Sequence, residues 1–383
     1  MFRSLHGTPF GKALTALLRP ADDDLCRLDA AAAVAEEAYA RGAGDFGVAL
    51  RRAVFAVETP MLHNPARFEQ GLLAAALCRE LEALSRLSAL APEPLFAEIP
   101  LGALPQWIAS PQDFSAIYPA FLRDLPQKGF GVYAENAMFT WENGALQPVL
   151  FADSQRLEQL YGYERERALA TQNIRCLLDG KGAAHVLLYG DAGTGKSSLV
   201  KALVNAYFDQ GLRLAELKRH QLHELPALLE RVGALPLKWV LFLDDLSFHP
   251  GEEGYALLKA ILEGGAGRIA ANCVIHATSN RRHLVREGQC ERQGDDVHLA
   301  DTLQEQASLS ARFGLSVCFR RPESEAYLAL VRQIAAELGV APMDLPTLYA
   351  LAEREALRRG GRTPRLARQV LEGWVRGAVK YDA

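Results

Sequence analysis

Residues 190–197 of the chain read Gly-Asp-Ala-Gly-Thr-Gly-Lys-Ser, a complete G-x-x-x-x-G-K-S pattern. Glycines at this spacing let backbone N–H groups turn toward anionic oxygens, and the start of a following helix adds the positive end of its dipole. Lys196 can then reach the β- and γ-phosphates of a nucleotide, while the Ser197 hydroxyl can bind Mg²⁺. The pattern predicts a nucleoside-triphosphate site formed by Gly190, Asp191, Ala192, Gly193, Thr194, Gly195, Lys196, Ser197 and Ser198.

The residues on either side of this loop support the interpretation. His185–Tyr189 is a short apolar run typical of a buried strand, and Ser198–Val204 has the apolar spacing of a helix. A strand, a glycine loop and a helix in this order distinguish a phosphate loop from a chance glycine turn.

Two adjacent carboxylates follow another predicted buried strand, Trp239–Leu243. Asp244 is placed to hold Mg²⁺, directly or through water, and Asp245 is placed to orient an attacking water as a base. The alternative is a strand-end aspartate that only caps the next turn. Together with the glycine loop, the pair predicts ATP and Mg²⁺ as the bound groups.

The composition is that of an ordinary globular protein. The 383 residues are 49% apolar and 23% charged, and the length favours two or three domains. The six cysteines include no C-x-x-C pair, which argues against a disulfide framework or a zinc site. We expect a cytoplasmic protein, because no apolar run reaches membrane-spanning length and the first residues lack the apolar core of a signal peptide.

The net charge of −4 is unevenly distributed. Residues 1–150 carry 12 basic and 17 acidic side chains, whereas residues 351–380 carry eight basic and three acidic ones. A basic stretch can contact phosphates or acidic partners, but it is more often a solvated helix face.

Three regions follow from the pattern along the chain. We predict a mainly helical region at 1–150 with a β-hairpin near 138–150, an α/β region at 151–320 and a helical region at 321–383. The hairpin rests on Asn143-Gly144 between strand-like runs. Strands are predicted at His185–Tyr189, Leu212–Leu217, Trp239–Leu243, Cys273–Thr278 and Leu315–Phe319, with helices between them, which indicates a parallel sheet covered by helices.

Over roughly residues 155–380 the sequence resembles the AAA+ superfamily of P-loop ATPases, and the match is strongest from Leu187 to Asn280. It also resembles an uncharacterised bacterial family of such ATPases called domain of unknown function 815. The resemblance implies a P-loop α/β fold with helices on both sheet faces, a C-terminal helical lid, and assembly into a ring or filament.

The resemblance also implies roles for two residues beyond the loop and the carboxylates. Asn280, at the end of a strand, corresponds to sensor 1, which positions the lytic water or contacts the γ-phosphate; the alternative is a turn residue. Arg312, within the segment at 310–314, corresponds to the arginine finger that reaches a neighbouring subunit's nucleotide. The alternative for Arg312 is a surface arginine in a helix C-terminal turn.

Two further parts of the resemblance concern the lid and the adenine pocket. Arg365 corresponds to sensor 2, facing the γ-phosphate, with Arg362 and Arg368 as alternatives nearby or a solvated first helical turn instead. Tyr161 and Gly162 correspond to the segment that surrounds adenine, although an ordinary aromatic helix cap explains them equally well.

The sequence departs from the superfamily pattern in three places. Most hydrolytic members carry Asp-Glu where this chain has Asp244-Asp245, and the shorter carboxylate favours slow turnover, a hypothesis that a fast steady-state rate would overturn. The segment Lys218–Glu224 shows no aromatic–apolar–Gly pore loop, which argues against substrate threading. Leu284–Thr302 is polar and indicates a long insertion or loop.

The leading hypothesis is an ATPase that switches shape with its nucleotide, acts on a macromolecule as a homo-oligomer, and binds a protein partner through its acidic N-terminal region. A DNA-linked ATPase, similar to helicase loaders or initiators, is a less favoured alternative, since no helix-turn-helix motif is recognisable. A small-molecule kinase is the second alternative. Salt-dependent DNA binding or a phosphorylated acceptor separates these classes.

Overall fold

The computed structural model describes residues 2–20, 24–64, 68, 70–96, 105–248, 252–264, 269–280 and 311–377. The predicted insertion Leu284–Thr302 lies outside these residues. The chain divides into two compact units. The N-terminal unit comprises Met1–Glu135 with Ala234–Leu237, and the sheet unit comprises Asn136–Gly233 with Lys238–Ala383.

The N-terminal unit is built from helices, as the sequence predicts. Three of them begin at a side-chain cap, because Thr8, Asp45 and Asp113 each accept a hydrogen bond from a backbone N–H three residues on. The helices are α1 (Pro9–Leu18), α2 (Asp24–Gly42), α3 (Phe46–Ala56), α4 (Pro60–His63), α5 (Gly71–Leu87), α6 (Phe114–Lys128) and α7 (Val132–Glu135).

Leucines recur at spacings of three and four along α5 and form an apolar stripe, which the core of the N-terminal unit explains. Leu77, Leu81 and Leu84 are buried in one apolar cluster with residues of α1, α2, α3 and α6. Leu73, at the start of the same stripe, is 47% exposed. Aromatic rings close the cluster, with Phe55 stacked on Phe121 at 4.1 Å. The apolar face of each helix is therefore buried against its neighbours.

The sheet unit contains a seven-stranded sheet in the order β2-β1-β4-β5-β6-β3-β7. All neighbouring pairs are parallel except β1 with β2. Five of the strands correspond to the predicted alternating strands and the other two to the predicted hairpin, and the α/β fold class is confirmed. The strands are β1 (Met138–Glu142), β2 (Ala145–Pro148), β3 (Val186–Gly190), β4 (Leu212–Glu216), β5 (Lys238–Leu243), β6 (Cys273–Ser279) and β7 (Leu315–Phe319).

The predicted hairpin forms, but its assignment to the N-terminal region is wrong. Asn143 and Gly144 both have positive φ, 52° and 74°, as a tight two-residue turn between β1 and β2 requires. β1 then pairs in parallel with β4, with Met138 opposite Leu214, so the hairpin extends the sheet. The boundary falls between Glu135 and Asn136 because the backbone groups of β1 are satisfied by β4.

Some helices of this unit pack against the sheet, and three more come after its last strand in sequence. Strands β3 and β5 are buried on both faces, as parallel strands between helices are: Val186 and Leu188 pack with α8 and α9, and Leu187 between them is equally buried. The helices of this unit are α8 (Glu164–Leu178), α9 (Lys196–Ala206), α10 (Leu225–Gly233), α11 (Glu253–Leu262), α12 (Ser324–Glu337), α13 (Leu345–Arg358) and α14 (Pro364–Val375). The last three share a separate apolar cluster. Among the described helices, none is long and apolar enough to cross a bilayer.

His276 lies at the centre of β6 and is completely buried. Neither ring nitrogen has a hydrogen-bond partner within the part of the chain that the structure describes. Burial, with an added contribution from the nearby His185, lowers the pKa of His276 to about 3. The pKa of His185 is lowered as well, by burial. The folded state therefore holds a neutral imidazole at His276 where the unfolded chain takes up a proton.

We expect this histidine to make the sheet unit sensitive to acid. Between pH 6.5 and about 3 the unfolded state binds a proton that the folded state does not. The free energy of unfolding therefore decreases by about 1.4 kcal/mol for each unit by which the pH is lowered. His276→Leu should flatten this dependence, whereas the exposed His220→Leu should leave it unchanged. Thermal unfolding at pH 7, 6 and 5 measures the slopes, and identical slopes in wild type and His276→Leu would contradict the expectation.

Candidate nucleotide-binding site

The glycine loop joins the end of β3 to the start of α9, as predicted. Gly190, Gly193 and Gly195 have φ values of 122°, 77° and 95°, a region in which residues with a Cβ are strained. At Gly190 a Cβ would also lie 2.2 Å from the carbonyl oxygen of Phe319. The positive φ values, and the close approach of Phe319 at Gly190, explain why this loop carries glycine. The loop ends at the N-terminus of α9, where backbone N–H groups are available to an anion.

Lys196 is buried in the first turn of α9 and turns back over the loop. Its Nζ donates hydrogen bonds to the carbonyls of Gly190 and Asp191, at 2.9 and 2.8 Å, and to Asn280 Oδ1 at 3.0 Å. Burial lowers the pKa of the Lys196 ammonium, and the carboxylates of Asp191, Asp245 and Asp244 oppose that shift. The ammonium is thus held at the loop by acceptors that phosphate oxygens can replace.

The two carboxylates after β5 are held by the adjacent strand β6. Thr278 Oγ1 donates to Asp244 Oδ1 at 2.5 Å and accepts the backbone N–H of Asp245 at 2.8 Å. Asn280 Nδ2 donates to Asp245 Oδ1 at 2.8 Å. Asp245 has φ of 51°, so these bonds offset the cost of a left-handed backbone at a residue with a side chain. Thr278 is a further candidate site residue, which no motif in the sequence indicates.

Oxygen ligands suitable for Mg²⁺ meet at this point. The Ser197 hydroxyl donates to Asp244 Oδ1 at 2.6 Å, so the two predicted metal ligands are in direct contact. Both line the same cavity as Lys196, and the Asp244 carboxylate is exposed to it. A hydroxyl and a carboxylate oxygen, with room for waters, form a donor set that fits Mg²⁺.

A cavity of about 250 Å³ brings the phosphate loop and the carboxylates together. It adjoins a second cavity of about 240 Å³, since Gly193, Gly195, Ser198 and Arg365 line both. The first is lined by Ala192, Gly193, Gly195, Lys196, Ser197, Ser198, Asp244, Asp245, Thr278, Asn280 and Arg365. A polyphosphate fits the chemistry of this first cavity.

The second cavity, called the ring cavity here, contains the two residues that are predicted to surround adenine. Tyr161 and Gly162 line it together with the apolar side chains of Leu199, Phe319 and Ile334. Burial, and after it the neighbouring Glu337 carboxylate, raises the pKa of Tyr161. The cavity therefore combines apolar walls with a few oriented polar groups, as ligand pockets usually do.

Of the three arginines considered for the lid, Arg365 lies closest to the phosphate loop. Its backbone N–H donates to the carbonyl of Gly193 at 3.3 Å, and it lines both cavities. Arg362 instead pairs with Glu353 at 2.9 Å. Arg368 pairs with Glu337 at 2.7 Å. Of the two cavities, it lines only the ring cavity.

Arg312 lines neither of these two cavities. Its Nε lies 3.1 Å from Glu263 Oε1, at the C-terminal end of α11, and its side chain is 49% exposed. The structure thus does not bring Arg312 together with the other predicted site residues within one chain. Two further residues near the site were not indicated by the sequence. One is Tyr163, whose hydroxyl donates to the Arg320 carbonyl at 2.7 Å, and the other is Arg321.

Comparison with known proteins gives a family and partial structural likenesses. The search among curated proteins found no match. Among solved structures, a single-site variant of RuvB from Thermotoga maritima is similar at 17% identity over 58% of this chain and 67% of that one, with a TM-score of 0.39. A structure of the E. coli MS115-1 HORMA:CdnC:Trip13 complex is similar at 16% identity over 58% and 92%, with a TM-score of 0.40.

The family match is more extensive than these likenesses. The model described as "Protein of unknown function (DUF815)" matches residues 134–378, well over half of the chain. The matched region begins just before β1 and includes the loop, both carboxylates and the C-terminal helices. The chain therefore belongs to the DUF815 family.

Proposed function

We propose that this protein is an AAA+ ATPase that binds ATP with Mg²⁺, hydrolyses it slowly, and uses the cycle to change the shape of a macromolecular partner. The observation that carries the proposal is the convergence of Lys196, Ser197, Asp244, Asp245 and Asn280 on one cavity, which adjoins the ring cavity. Elements far apart in the chain supply these groups, and phosphoryl transfer needs this combination of cations, metal ligands and a water-orienting carboxylate.

Each residue has a role that its contacts support. Lys196 and Arg365 supply positive charge to the phosphate cavity, and Ser197 with Asp244 would hold Mg²⁺, which neutralises phosphate charge when bound. Asp245 orients a water, and Asn280 holds that carboxylate through its amide N–H while its oxygen accepts from Lys196.

The proposal extends to assembly and partner. The exposed Arg312, outside the two cavities of its own chain, supports a role at the nucleotide of a neighbouring copy. The helical N-terminal unit, with 12 basic and 16 acidic residues in 1–135, is proposed to bind a protein rather than DNA.

The proposal is tested by separating binding from hydrolysis. We expect wild-type protein to bind a fluorescent ATP analogue and release phosphate with Mg²⁺ present, without transferring it to a small-molecule acceptor. Asp245→Asn should bind within about threefold of wild type but hydrolyse about 10²-fold more slowly, because the water loses its carboxylate.

Asp179→Asn, an exposed aspartate at the end of α8, is the matched control and should leave both quantities unchanged. An unaltered hydrolysis rate in Asp245→Asn would reject the role of Asp245, and absence of nucleotide binding in wild type would reject the proposal. DNA binding that weakens steeply with salt would favour the DNA-linked alternative.

A further inference from the structure

The second residue of the phosphate loop points its carboxylate away from the phosphate cavity. Asp191 lines neither of the two cavities described above. Instead, its Oδ2 accepts the backbone N–H of Arg321 at 2.8 Å, and the Arg321 Nε lies 3.7 Å from its Oδ1. The Asp191 N–H in turn donates to the carbonyl of Phe319 at 2.8 Å. The loop is therefore fastened to the connection between β7 and α12, a contact spanning 130 residues of sequence.

The same arginine reaches the turn that follows α13. Its Nη1 donates to the carbonyl of Gly360. Gly361 has φ of 137°, and a Cβ there would lie 2.4 Å from Arg321 Nη1, so the glycine makes room for the guanidinium. A carbonyl close to the C-terminal end of a helix is a favourable position for a cation.

This turn leads directly into α14, whose first turn carries Arg365. Thr363 caps the helix by accepting the Leu366 N–H at 3.2 Å. A Cβ on Gly193 would lie 3.2 Å from Thr363 Oγ1, and the Arg365 N–H reaches the Gly193 carbonyl. The segment 360–365 therefore meets the phosphate loop at two places, through Arg321 at Asp191 and directly at Gly193.

We propose that Arg321 is a positioning residue that holds the 360–365 segment against the phosphate loop and thereby places the Arg365 guanidinium at the phosphate cavity. The inference rests on the proposed function for its consequence, but the physical link exists without nucleotide. Because Arg321 contacts both Asp191 and the Gly360 carbonyl, a movement of the loop also displaces the start of α14. Arg321 itself contacts the loop and the turn, not the reacting groups.

Hydrogen exchange of the nucleotide-free, full-length protein tests the link. Arg321→Met keeps the apolar stem and removes the guanidinium, and we expect amides in 361–367 to exchange about three- to tenfold faster, as loss of partly exposed contacts implies. Arg320→Met, the exposed neighbour, is the matched control and should leave exchange unchanged. Unchanged exchange in Arg321→Met, or an equal rise in both variants, would overturn the proposal.

A kinetic cycle separates positioning from general stability. Arg321→Met should lower kcat about three- to tenfold with KM little changed, and it should have no further effect in a chain that already carries Arg365→Ala. An equal loss in both backgrounds would show that Arg321 acts independently of Arg365 and would overturn the proposal. Because exchange is measured without nucleotide, failure of the proposed ATPase function and failure of this link give different results.

Discussion

Lys196→Ala is expected to lower steady-state ATP hydrolysis by about 10²- to 10³-fold. The ammonium is buried at the loop and bound by two loop carbonyls and Asn280, so it is the cation best placed to meet developing phosphate charge. Alanine removes that charge and leaves the glycine backbone in place. Nucleotide affinity should fall as well, since Lys196 is proposed to contact the phosphates both before and during transfer. Phosphate release and binding of a fluorescent ATP analogue measure the two effects.

Lys201→Ala on the same helix is the matched control. Lys201 lines neither described cavity, so its substitution should leave hydrolysis within about twofold of wild type. Thermal unfolding of both variants checks that the helix remains folded. Wild-type hydrolysis in Lys196→Ala would mean that the loop does not bind the reacting phosphates.

Arg312→Ala is expected to abolish a concentration-dependent part of the hydrolysis. If Arg312 reaches the nucleotide of a neighbouring copy, turnover per subunit rises with protein concentration in wild type and falls by about 10³-fold in the variant. The side chain is half exposed and bound only by Glu263 among its described contacts, so it can leave that ion pair at low cost. Phosphate release over a range of protein concentrations measures the effect.

Mixing two inactive variants gives the decisive control. Lys196→Ala retains Arg312, and Arg312→Ala retains the loop, so a shared site should recover part of the activity in mixed assemblies. Glu263→Gln, which removes the ion-pair partner of Arg312, should keep wild-type hydrolysis. Concentration-independent turnover that Arg312→Ala leaves unchanged would exclude the shared site and favour a monomeric P-loop enzyme.

Much of the candidate site was predictable because its motifs are contiguous. The loop Gly190–Ser197 can be recognised from the spacing of its own residues. Its predicted position between a strand and a helix is confirmed by β3 and α9. The Asn143-Gly144 turn was equally local. Family membership, inferred from the same motifs, is confirmed by the match over residues 134–378. The roles of all the predicted site residues stay predictions, namely those of the phosphate loop with Lys196 and Ser197, of Asp244 and Asp245, and of Asn280, Arg312, Arg365, Tyr161 and Gly162.

The strand–loop–helix unit, the carboxylate pair and the α/β class could be read from the sequence alone, because each depends on neighbouring residues and their periodicity. Three other features depend on the three-dimensional fold: the hairpin joins the sheet beside β4, Thr278 bonds the Asp244 carboxylate and the Asp245 backbone N–H, and Arg321 contacts both Asp191 and the Gly360 carbonyl. These features depend on strand order and on contacts between residues 33 to 130 positions apart, which no local pattern encodes.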